Sequence, residues 1–192
     1  MLAAQAPEFA ESYVPEDLIL QSARGLAHEV GLTAVSPGVG AALRLLAAAG
    51  SARAVVEIGT GAGVSGLWLL RGMRADGILT TIDTDAEHQR IAKRHFAEAG
   101  HPASRTRVIT GRALDVLPRL ADGSYDLVFV DADVTEYTGY VLAAARLLRP
   151  GGVLVVHEAL TARDVVWSVR DAEEWIPALV PVGDGLLCAV RR

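Results

Sequence analysis

Along the middle of the chain, short apolar runs rich in β-branched residues alternate with longer stretches whose apolar positions return at helical spacing. The runs predict strands over 54–58, 78–83, 106–110, 126–131 and 152–157. Between them the spacing predicts helices over 65–73, 86–99, 113–120 and 137–148, the second closed by Gly100 and Pro102. Strands joined by right-handed helical crossovers form a parallel sheet with helices on both faces. Two last apolar runs, 178–182 and 186–190, flank Gly183-Asp184-Gly185, a turn sequence suited to a hairpin at the sheet edge. The fold class is therefore α/β: a Rossmann-like, doubly wound, seven-stranded and mostly parallel sheet with an antiparallel C-terminal hairpin.

Two helices precede this alternation. The first, over 16–30, starts after Pro15 among acidic residues and stops at Gly31; the second, Ala- and Leu-rich over 39–49, stops at Gly50. Leu18, Leu26 and Val30 leave an incomplete apolar stripe on the first. It either covers a ligand site, meets a partner subunit, or packs without further duty.

Bulk properties narrow the function. A chain of 192 residues predicts one domain, 1–192, with residues 15–50 as its cap or dimer element. Hydrophobic residues at 51% and charged residues at 21% describe a globular core rather than disorder. The net charge of -5 disfavours nucleic-acid and anionic membrane partners. Cys188 stands alone, so no internal disulfide or cysteine metal cluster forms, which suits a reducing cytoplasm. Its expected role is a small buried apolar residue. Neither a signal-peptide pattern over 1–14 nor an apolar span of membrane length is present, so the reading is a soluble, cytoplasmic protein.

The sharpest chemical signal is Glu57-Ile58-Gly59-Thr60-Gly61-Ala62-Gly63-Val64-Ser65, a buried strand running into a glycine loop and then a helix. Glycines admit a ligand against the backbone, and the helix start offers free N–H groups. Gly61 to Gly66 also satisfies G-x-G-x-x-G, the dinucleotide spacing that seats pyrophosphate on a helix start. Glu57 argues otherwise: its carboxylate can receive the ammonium of an amino-acid moiety but would repel a pyrophosphate. Asp83 ends the next strand about twenty residues beyond the loop, the position from which a carboxylate binds ribose hydroxyls. Asp131-Ala132-Asp133 ends the fourth strand at the topological switch point, where paired carboxylates are costly unless they bind something.

These segments, with Val35-Ser36-Pro37, Thr81-Ile82-Asp83, Gly111-Arg112-Ala113 and Pro150-Gly151-Gly152, resemble the small S-adenosylmethionine-dependent O-methyltransferases of the catechol and caffeoyl-CoA type, and especially those of actinobacteria. The resemblance implies that Val35, Glu57, Gly59, Thr60, Gly61, Gly63 and Ser65 surround the methionine end of S-adenosyl-L-methionine, with Ser65 bonding its carboxylate. Asp83 and Thr84 would hold the ribose, and Ala113 would lie by the adenine, although Arg112 stands where an acidic residue is usual. Asp133 would close the cofactor site and Asp131 would face a small hydroxylated, phenolic acceptor. A homodimer is also implied.

Methyl transfer from a sulfonium is an in-line displacement, so the acceptor oxygen must be aligned and lose a proton. Cation-dependent relatives use an aspartate at the position of Asp131, an Asp-Asn pair after the fifth strand, and a lysine. Here the pair is His157-Glu158 and the lysine position is Val134. Three readings follow: Asp131, His157 and Glu158 hold a divalent metal; His157 is a metal-free general base; or His157 only bonds at a strand end. Trp167 and Trp175 either line an aromatic acceptor site or, as the favoured reading, cover the sheet as core. His88, His95 and His101 are expected to be solvated. The rival functions are an NAD(P) oxidoreductase and a cofactor-binding homodimer without chemistry.

Overall fold

The computed structural model describes residues 8–192, so the expectation for the first seven lies outside the described residues. After a short helical segment over 8–12, helix α1 (Leu18–Glu29) starts where Asp17 accepts the Leu20 N–H. Helix α2 (Pro37–Ala49) starts at Ser36, whose hydroxyl caps Val39, with Pro37 in the first turn. Then follow β1 (Ala54–Ile58), α3 (Val64–Gly72), β2 (Ile78–Asp83), α4 (Ala86–Glu98), β3 (Thr106–Thr110), α5 (Ala113–Val116), β4 (Tyr125–Val130), α6 (Tyr137–Leu147), β5 (Leu148–Val156), α7 (Arg163–Asp171), β6 (Trp175–Val180) and β7 (Leu186–Arg191).

The sheet order is β3-β2-β1-β4-β5-β7-β6, with β3 to β5 parallel and β7 antiparallel to both β5 and β6. The switch point falls between β1 and β4, as doubly wound sheets require for a ligand crevice. Period-two alternation divides the core. Val55, Leu127, Phe129 and Val155 face α2, α3 and α4 through Leu43, Trp68 and Phe96. Val56, Ile58, Val128 and Val130 face α6 and α7 through Tyr137, Ala144, Leu147 and Val165.

Five features depart from the sequence expectation. The helix expected over 113–120 is one α turn followed by a 3-10 turn, Leu117–Arg119, because Pro118 lacks the N–H that would continue it. Helix α7 was not expected, and β5 begins at Leu148, running through Pro150-Gly151-Gly152. His95 is fully buried rather than solvated, because it shares the inner face of α4 with Ala92 and Phe96. Trp175 is core, whereas Trp167 is half exposed beneath the Arg170 guanidinium, 4.3 Å from the ring centroid.

Candidate active site

The carboxyl ends of β1, β2, β4 and β5 open into a cleft of 580 Å³. Its floor is the glycine loop. Gly59 has φ +99°, and a Cβ there would stand 1.8 Å from the Asp131 carbonyl oxygen, so no other residue fits without moving β4. Gly63 has φ +89° and caps α3, and a Cβ would press on Ala92 and Phe96 of α4. The loop is held from both sides. Asp83 Oδ2 accepts the N–H groups of Thr60 (3.0 Å) and Gly61 (2.9 Å), and the Ala62 carbonyl lies 2.9 Å from His95 Nδ1.

Below the loop lies a buried polar chain that ends on the cleft-lining Thr60 and Ser65. Ser65 donates to Glu57 Oε1 at 2.7 Å, Thr81 donates to Oε2 at 2.6 Å, and Thr60 meets the Thr81 hydroxyl at 2.7 Å. Burial pushes the Glu57 carboxyl up to about 7, opposed by those two hydroxyls and reinforced by the charges of Asp131 and Asp83. Glu57 is fully buried under the loop, its carboxylate bonded to Ser65 and Thr81, and it stands behind the residues that line the cleft. Gly63 is likewise outside the lining, where it serves helix packing.

The remaining expected cofactor residues converge. Val35, Gly59, Thr60, Gly61, Ser65, Asp83, Thr84, Ala113, Asp131 and Asp133 all line the cleft. Ala27 near the end of α1, with Leu32 and Val35 from the loop that follows it, lines one wall of the cleft. Asp133 caps the turn after β4, its Oδ1 accepting from the Thr135 N–H and hydroxyl, which hold the carboxyl below its usual range.

On the opposite side, His157 Nδ1 lies 2.9 Å from Asp131 Oδ1. Asp131 lines the cleft, and His157, 5% exposed, stands just behind that lining. Burial lowers the imidazole pKa, but the Asp131 hydrogen bond and the charges of Asp131, Glu158 and Asp184 outweigh it and the net shift is upward. Glu158 lines the cleft from a left-handed backbone, φ 53°. These donors do not suit a resident metal: one imidazole nitrogen is committed to Asp131, and among the described residues no three His, Cys, Asp or Glu side chains converge.

Sequence reasoning missed His88, Glu136 and Tyr140, which also line the cleft, and His95, which supports it. A signal existed for His88 and His95. His88 falls three residues after the cap Asp85, and His95 falls one residue before Phe96 on the apolar side of α4.

The O-methyltransferase family model matches residues 11–180. This chain belongs to the O-methyltransferase family. It is 55% identical over 198 residues to a Mycobacterium marinum relative named for that activity, covering 95% of this chain and 88% of the relative. The solved O-methyltransferase TomG of Streptomyces achromogenes, which acts in tomaymycin synthesis and was captured with S-adenosylmethionine, superposes with a TM-score of 0.85 at 32% identity, covering 96% of this chain and 94% of that one. A Bacillus cereus O-methyltransferase in complex with S-adenosylhomocysteine superposes equally well, TM-score 0.85, at 27% identity over 99% of this chain and 97% of its own. The methyltransferase reading stands, and the comparisons lend nothing to the oxidoreductase or the silent cofactor-binding dimer. The chain is a class I S-adenosylmethionine-dependent methyltransferase. No helix among the described residues is long and apolar enough to cross a membrane.

Proposed function

We propose that the enzyme transfers the methyl group of S-adenosylmethionine to the hydroxyl of a small phenolic acceptor, and that the Asp131–His157 pair takes the acceptor proton. The observation that carries this is the 2.9 Å contact between a cleft-lining carboxylate and a buried imidazole at the ends of adjacent strands. In the cleft the cofactor supplies an activated methyl group. Asp83 and Thr84 take the ribose hydroxyls, Ala113 lies at the base, and Ser65, with the loop N–H groups, receives the methionine carboxylate. Val35, Gly59, Thr60, Gly61 and Asp133 complete the wall. Glu57 and Gly63 act beneath the loop, positioning Ser65 and α3.

The acceptor enters on the β4–β5 side, where Asp131 orients its hydroxyl. As the oxygen attacks the methyl carbon, the carbon–sulfur bond breaks and the proton passes to the pair, which titrates as a unit. His157 is the positioning partner that fixes the carboxylate and shares the proton. Methyl transfer from labelled S-adenosylmethionine to catechols and hydroxycinnamates, read for the wild type and for Asp131→Asn, tests this. Turnover that Asp131→Asn removes while S-adenosylhomocysteine still binds supports the reading, and unaltered turnover overturns it.

The proposal extends to organisation. Residues 1–192 act as one cytoplasmic methyltransferase domain without nucleic-acid or membrane partners, as the net charge of -5 favours. Residues 15–50 serve as its cap, and a homodimer forms over apolar surface of the N-terminal helices such as Phe9, Tyr13 and Leu18. Sedimentation equilibrium of the wild type and of Leu18→Asp reads the dimer directly.

A further inference from the structure

Arg112 stands at the cleft wall just before Ala113, where its cation can donate hydrogen bonds but accept none. Its guanidinium reaches across to the turn after β4 and donates to Glu136 Oε1 at 2.7 Å. From α6 the Tyr140 hydroxyl donates to Glu136 Oε2 at 2.5 Å. Glu136 is thus fixed at both oxygens, and its carboxylate still lines the cleft with 24% of the side chain exposed. The Tyr140 and Arg112 hydrogen bonds hold it below the usual carboxylate range, so it is an anion near neutrality with unused lone pairs.

The position relative to the ligand follows from the sheet. With the ribose on Asp83 at the end of β2, the base lies outward toward β3, where Gly111, Arg112 and Ala113 form one wall and Glu136 and Tyr140 the other. Adenine presents an exocyclic amine there, a donor that needs an acceptor. Of the other carboxylates on that lining, Asp133 is committed to Thr135 and Asp83 to the loop and the ribose.

Resting on the cofactor placement above, we infer that Glu136, clamped by Arg112 and Tyr140, accepts the exocyclic amine of the cofactor's adenine and makes the site selective for a 6-aminopurine over a 6-oxopurine. A charged acceptor facing the C6 carbonyl of a 6-oxopurine would repel it. Losing a hydrogen bond to a charged group is read as at least about tenfold in affinity.

The test is calorimetric binding of S-adenosylhomocysteine and of its inosine counterpart, S-inosylhomocysteine, to the full chain. Wild type is expected to prefer the adenosyl compound by about tenfold or more, and Glu136→Ala to bring the two within about threefold while keeping its affinity for the inosyl compound. That retained affinity shows the variant is folded. Should Glu136→Ala bind neither, the isosteric Glu136→Gln, which loses the charge and the Arg112 ion pair, takes its place with the same expected convergence. A preference that survives in the variants overturns the inference while leaving the cofactor reading intact. Wild type that binds neither nucleoside overturns both.

Discussion

The two halves of the cleft are built to different standards. On the β1–β2 side each wall is fixed several times over: Asp83 holds two loop N–H groups, Glu57 is closed between Ser65 and Thr81, and Gly59 touches β4 with no room for a side chain. On the β4–β5 side one side-chain contact, Asp131 to His157, supplements the backbone bond from the His157 N–H to the Val130 carbonyl, and beyond it runs the left-handed turn at Glu158. The hairpin loop there is held at Gly183 by Glu11 Oε1, from the N-terminal segment, at 2.9 Å. A cofactor common to a family fixes the backbone that meets it, whereas an acceptor that differs between members is met by loops and terminal segments. The first side should therefore fail as structure and the second as chemistry.

The largest effect is expected at Gly59→Ala. The new methyl group would overlap the Asp131 carbonyl from a backbone angle that alanine avoids, costing more than about 3 kcal/mol. Melting should fall by about 10 °C, with S-adenosylhomocysteine binding lost in calorimetry. A variant that melts and binds like the wild type would remove the rigid side of the comparison.

His157→Ala should leave that side untouched. We expect kcat to fall by about 10²- to 10⁴-fold, with S-adenosylhomocysteine affinity little changed and the melting temperature lowered by the lost pair and the cavity it leaves. The imidazole pKa is raised in the folded enzyme, so kcat/KM should climb with pH on a limb above 6.5, the ordinary histidine value. Asp131→Asn removes the charge, and leaves only a neutral acceptor in place of the charge-assisted bond, so any residual limb should shift to lower pH. The stabilisation from this pair is complete below the unfolded value and disappears as pH rises through the folded one. A loss of cofactor binding in His157→Ala would show that the two sides are not separable.

Legibility in the sequence follows the same divide. The ends of β1, β2 and β3 were readable because Gly59, Asp83 and Gly111 punctuate them, and the cofactor residues followed from spacing and family likeness. Helix α7 was not read although a signal existed: Val165, Val166 and Val169 recur at helical spacing, in a short nine-residue segment among Arg163, Asp164, Arg170 and Asp171. The start of β5 was hidden by Pro150-Gly151-Gly152, which reads as a turn although the chain continues through it as strand. Glu57 was recognised as exceptional, but its bonds to the Ser65 and Thr81 hydroxyls were not foreseen. A one-dimensional pattern places a residue at a strand end without saying whether its side chain meets ligand or supporting hydroxyls. The pairing of His157 with Asp131 joins residues 26 apart in sequence, and only the β4–β5 register brings them together.

Glu57→Gln sharpens the rigid side through pH. The Glu57 carboxyl rises from 4.5 to about 7 on folding, so between those values the folded state binds more protons than the unfolded one. Wild-type stability should accordingly decline as pH rises across that window, by up to roughly 3 kcal/mol, and then level off. Glutamine cannot ionise, so the variant should gain on the wild type in denaturant melts from pH 5 to pH 8. Parallel pH profiles would mean that the carboxylate is charged without penalty.

The smallest effect expected is that of a chelator. Asp131, His157 and Glu158 occupy positions where cation-dependent relatives place ligands, but the imidazole is turned onto Asp131 and no third donor joins them among the described residues. If proton transfer runs through the pair, removing divalent ions with EDTA should change kcat by less than about twofold, because no step of the proton path depends on a cation. Added magnesium or manganese should do no more. A tenfold fall with EDTA, restored by one added cation, would show that the acceptor side reorganises around a metal when substrate arrives. The looser half of the cleft would then be a site completed on binding.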